Sequence, residues 1–140
     1  MKKKILGILL VVFCIVLVVI NWPRKLSQLI PLSGVSQISV LWAEEPFSGN
    51  EERKEVELTS EKMDSFLEYW EGLTLQPTSP KDDTVMKLPV YHVYFMTGSE
   101  HIGMRISAEG IAEIDGKFYS IKPWNAESST ILNEFMLSLQ

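Results

Sequence analysis

The chain holds one cysteine and two histidines in 140 residues. Cys14 sits inside an apolar run, so no disulfide can form within the chain and no thiolate pair exists for zinc or redox chemistry. His92 and His101 do not form a His-x-x-x-His pair, and no soft ligand accompanies them. No Gly-x-Ser-x-Gly turn presents a nucleophile, and neither histidine has a serine or acid at a recognisable triad spacing. Glu44, Glu45, Glu51 and Glu52, and the pair Asp82 and Asp83, lack the alternating oxygens and central glycine of an EF-hand loop. Internal repeats and low-complexity segments are missing as well. The expectation is therefore a chain with no metal, no cofactor and no nameable catalytic residue.

Positive charge is scarce beyond residue 25. Five of the 13 basic residues (Lys2, Lys3, Lys4, Arg24 and Lys25) flank the apolar run, and all 18 acids lie after it. The remainder carries eight cations against 18 acids, a net charge of −10. Such a body is repelled by nucleic acid and by anionic headgroups, which leaves neutral or basic surfaces, cell-wall polymers or cations as partners.

What the sequence has in abundance is a single hydrophobic run, Ile5 to Ile20, without one polar side chain. As a helix it covers about 24 Å, short of the ~30 Å hydrocarbon core. Snorkelling lysines at one end and Asn21 with Trp22 at the other make up the difference. A cleaved signal peptide needs small residues at the cleavage site, where this chain has Asn21-Trp22-Pro23-Arg24-Lys25. A lipoprotein needs small residues before its cysteine, where this chain has Val12 and Phe13. The run therefore predicts an uncleaved single-pass anchor over residues 1–22, held in the membrane with a cytoplasmic N-terminus and the C-terminal body outside. A linker over 23–34 follows, broken by Pro23, Pro31 and Gly34, with Leu26, Leu29, Ile30 and Leu32 apolar enough for an interfacial stalk. Residues 35–140 are then one small domain, expected to fold alone.

Within that domain, Ile38, Val40 and Trp42 alternate as a first strand, and Val56 and Leu58 resume a second. Thr59 or Ser60 caps a helix that Gly72 ends, with Met63, Phe66, Leu67 and Trp70 as its core stripe. An extended segment, Leu73 to Gln76, follows. Val90 to Thr97 and Glu100 to Ser107 form a hairpin about Gly98-Ser99. That turn pairs Tyr91, Val93 and Phe95 with Ile106, Met104 and Ile102 on one face. The other face receives His92, Tyr94, Met96, His101 and Arg105, the candidate binding residues. Its two histidines lie roughly 13 Å apart along the strands, too far to share one ion. A second hairpin turns at Asp115-Gly116, Pro123 ends its strand, and Asn125 caps a last helix with Ile131, Leu132, Phe135, Met136 and Leu139 inward. The predicted class is α+β: an N-terminal transmembrane helix, then a small, mainly antiparallel sheet with two helices packed on one face.

The lysine-led anchor, the early strand-helix unit and the pattern Gly-x-x-x-Ile-Asp-Gly-x-x-Tyr (Gly110, Ile114, Asp115, Gly116, Tyr119) resemble small membrane-anchored exported domains of unknown function from Gram-positive bacteria. That resemblance implies an extracytoplasmic location and brings no catalytic residues. Two function classes follow. One is a non-catalytic binding or accessory module for a protein or cell-envelope partner. The other is a small cell-envelope hydrolase using carboxylates. The first is preferred, because so much obligatory core leaves little room for a cleft.

Overall fold

A computed structural model describes residues 2–43, 55–79 and 90–140. The acidic stretches at 44–52 and 82–83 lie outside the described residues. Helix α1 is Lys2–Ile20. Its window Lys3–Ile20 has a mean hydropathy of 2.8 and is 0% buried against the rest of the chain. A helix apolar on every side, with no residue of that window buried, is not core. Its length and composition suit a membrane span, a test that an N-terminal signal sequence also passes.

The stretch expected as a stalk belongs to the folded body instead. The backbone of Arg24 exchanges two hydrogen bonds with Leu75, at 2.9 and 2.7 Å. A four-residue helix, α2 (Leu26–Leu29), then places Leu26 and Ile30 on one side, each 1% exposed. The Lys25 ammonium donates to the Glu71 carbonyl at the C-terminal end of the next helix, where a cation is favoured. The nearby core takes up leucines that were expected to lie in the membrane interface. A boundary at Val35 would therefore leave two fully buried side chains outside the domain.

Among the described residues the sheet has seven strands in the order β2-β1-β4-β5-β6-β7-β3, and every neighbouring pair is antiparallel. The strands are β1 Val35–Ala43, β2 Glu55–Glu57, β3 Thr74–Pro77, β4 Val90–Thr97, β5 Glu100–Ser107, β6 Ile111–Ile114 and β7 Lys117–Lys122. The segment expected only as extended, Leu73 to Gln76, closes one edge as β3 against β7. Between β2 at one edge and β3 at the other runs helix α3, Ser60–Glu71. Thr59 caps it, its side chain accepting from the Lys62 amide. Gly72 ends the helix without a left-handed turn, at φ −70°.

The core forms where helix side chains meet the inward positions of the strands. Phe66 and Trp70 of α3 are buried, and the Phe66 ring stands 5.9 Å from Phe95 of β4. The last helix, α4 (Ser128–Ser138), buries Leu132 and Met136, and its Asn133 accepts a hydrogen bond from the Tyr91 hydroxyl of β4. Tyr91 and Phe95 point to the same side of β4, being four residues apart on a strand. Two details of α4 differ from expectation. Asn125 does not cap it; its side chain accepts from the Glu127 amide at 2.9 Å in a turn ahead of the helix, which starts at Ser128. This is the local bond that asparagine offers a backbone two residues on. Ile131 lies off the stripe, 50% exposed, while Leu132, Met136 and Leu139 are buried.

Candidate functional site

The β4–β5 hairpin has the register that its alternation requires. Tyr91, Val93 and Phe95 face Ile106, Met104 and Ile102, while His92, Tyr94 and Met96 face Arg105, Gly103 and His101. The inward set is deeply buried at Val93, Phe95 and Ile106, each 0% exposed. That burial fixes the parity of the outer set, since a slip of one residue would turn every side chain over.

Neighbouring strands extend the outer set on both sides. Pairing with β1 puts Leu41 beside His92, Ser39 beside Tyr94 and Gln37 beside Met96. Pairing with β6 puts Glu113 beside Arg105, and β7 then puts Phe118 beside Glu113. One row across the sheet therefore reads Leu41, His92, Arg105, Glu113, Phe118.

A depression of about 330 Å³ opens on this face, lined by His92, Tyr94, Gly103, Arg105, Glu113 and Asp115, among others. Its floor is low because Gly103 has no side chain. The Tyr94 ring lies beside that gap, 3.8 Å from where a Cβ on Gly103 would stand. Three of the five candidate residues (His92, Tyr94, Arg105) thus share one concavity. Met96 and His101 sit together nearer the Gly98-Ser99 turn, outside it. His92, Tyr94 and Met96 are half-buried; His101 and Arg105 are exposed.

Glu113 is the site residue that the candidate set lacked. Arg105 Nη2 donates to Glu113 Oε2, with side-chain exposures of 44% and 17%. An exposed pair of this kind adds little to stability, about 0–1 kcal/mol. Its larger effect is on the surface itself. The pair holds the Arg105 guanidinium against Glu113 in the depression that Tyr94 also lines. The signal for Glu113 was in the sequence: Ala112 and Ile114 inward require residue 113 outward.

Chemically, the site offers flat surfaces and hydrogen-bond donors. Its carboxylates are Glu113, engaged by Arg105, and Asp115 on the β6–β7 turn. Among the described residues, no group of three His, Cys, Asp or Glu side chains converges as a metal site.

Comparison with family models, curated proteins and solved structures found no match. The pattern behind the resemblance noted in the sequence has a local physical basis. Gly110, Asp115 and Gly116 take φ of 81°, 51° and 73°, and Tyr119 is a core side chain, 5% exposed. Asp115 and Gly116 make the two left-handed positions of a type I′ turn. At Gly110 a Cβ would stand 2.5 Å from the Trp124 ring, so glycine is required twice over there.

Proposed function

We propose that the protein is a non-catalytic binding module, anchored by α1 as a single-pass span with its N-terminus in the cytoplasm and its body outside. In this reading α3 and α4 both cover the face that carries Tyr91 and Phe95, and the opposite face is left to bind. The observation that carries the proposal is the concavity built by Tyr94 over Gly103 beside the Arg105–Glu113 pair. Tyrosine and arginine are the residue types that most often anchor recognition, each giving a large rigid contact with a polar tip. A shallow, open depression with flat walls suits an extended segment of a protein or cell-envelope polymer.

The test is in-cell crosslinking of the intact chain with three variants: Tyr94→Ala, Arg105→Glu and Gly103→Leu. The last fills the concavity from its floor without touching the core. All three are expected to lose the captured partner while the melting temperature moves by less than about 4 °C, the shift that about 1 kcal/mol would give. Capture that survives all three rules this face out.

A further inference from the structure

A second depression, about 460 Å³, lies where α1 meets the sheet. Ile20, the last residue of α1, forms part of its wall; Arg24, Thr78, Ser79, Lys117 and Phe118 form much of the rest. Its two sides are joined by the Thr78 amide on the Phe118 carbonyl, at 3.0 Å. We propose that this depression receives the phosphate of an anionic phospholipid headgroup, an inference that rests on α1 being a retained membrane span.

Position is the first ground. Three residues, Asn21 to Pro23, separate the end of α1 from the Arg24–Leu75 bridge. With the apolar run in the bilayer, Ile20 stands at the hydrocarbon boundary and the cavity beside it opens at headgroup depth. Charge is the second ground. The chain beyond residue 25 carries −10, yet this wall holds two cations, Arg24 and Lys117. Among the described residues neither side chain is engaged, whereas Arg105, Lys62 and Lys25 donate to Glu113, Leu139 and Glu71. The acid nearest along the strand, Asp115, lines the other depression. The third ground is the mixture of surfaces. Thr78 and Ser79 bring hydroxyl donors to phosphate oxygens, and Ile20 and Phe118 bring apolar area for the glycerol and first methylenes. The net repulsion from anionic lipid expected of the whole body is thus reversed at the edge that meets the membrane.

The experiment uses the full chain in detergent, with native mass spectrometry after adding equal phosphatidylglycerol and phosphatidylcholine. Phosphatidylglycerol should be retained roughly thirtyfold over phosphatidylcholine, as two juxtamembrane cations would give. Arg24→Gln with Lys117→Gln should bring that ratio near one, and the charge-matched pair Lys62→Gln with Lys122→Gln, outside the cavity lining, should leave it unchanged. An unchanged ratio in the double variant, or no preference in the parent chain, overturns the proposal. If inorganic phosphate raises the melting temperature as much as phosphatidylglycerol does, the site is one for free phosphate and the lipid assignment falls. Carbonate extraction and the N-terminal mass of the cellular protein separate the two layers of inference. A soluble chain starting after Trp22 defeats both the anchor and this site, while a retained chain without lipid preference defeats this site alone.

Discussion

Replacing Leu26 or Ile30 with alanine should destabilise the domain about as much as replacing a residue at the centre of the sheet. Each is 1% exposed in a stretch that reads as a connector. Each substitution deletes about three methyl or methylene groups, worth ~0.8 kcal/mol apiece on transfer, or ~2.4 kcal/mol. The cavity left behind raises the expected loss to about 2–5 kcal/mol. A soluble chain beginning at Asn21 keeps the Arg24–Leu75 bridge and allows urea titration. With a urea slope of about 1–2 kcal/mol per molar, each variant should lower the midpoint by roughly 1–5 M. Ser27→Ala, on the exposed side of the same short helix, should leave it in place. The two alanines together approach the whole stability of a small domain, about 5–15 kcal/mol. A chain beginning at Val35 should accordingly lack a cooperative transition. Midpoint shifts under about 0.5 M for both single variants would refute the docking of residues 24–34 and restore the stalk.

Trp70→Ala should cost about 3–5 kcal/mol by the same titration, since the side chain is 1% exposed beneath α3; a loss under about 1 kcal/mol would put this helix face in solvent. Gly110→Ala should cost about 2–4 kcal/mol, combining a left-handed backbone with a Cβ driven into the Trp124 ring, and Gly110→Ala paired with Trp124→Ala should recover the steric part only. Burial raises the Tyr69 hydroxyl above its ordinary 10.0, where its ring stacks 4.1 Å from Phe135. The folded state then holds this proton more tightly than the unfolded one, so its contribution is complete below about pH 10 and is lost as pH rises through the folded value. Stability should fall from about pH 10 upward, and Tyr69→Phe should flatten that fall; identical alkaline profiles would contradict the assignment.

What the sequence made legible was whatever local chemistry decides alone. Tyr91, Val93 and Phe95 alternate strictly, and a two-residue turn at Gly98-Ser99 leaves one register that buries them together. Thr59 and Asp115-Gly116 act within three residues of themselves, so cap and turn came out as read. The connector was illegible for a complementary reason. A four-residue helix between prolines has no periodicity to detect, and Leu26 and Ile30 look the same whether lipid or protein covers them. The site was half legible. The parity of His92, Tyr94 and Arg105 follows from one hairpin, but the concavity needs Glu113 from β6, reached only through the connection at Ala108, Glu109 and Gly110. Gly103 was visible as a glycine in a strand, yet the space beside it depends on where the Tyr94 ring falls.

The Arg24–Leu75 bridge also sets a reach. Three residues of chain pay out at most ~10 Å, and a body of this size has a radius of gyration near 14 Å. With α1 in a bilayer, the domain is thus confined to a layer some 40 Å deep and cannot probe further out, as a protein on a long flexible tether can. Any partner must enter that layer or reside in the same membrane. Encounters with a partner in the same membrane then become a search in two dimensions, governed by lateral diffusion and surface density rather than by bulk concentration.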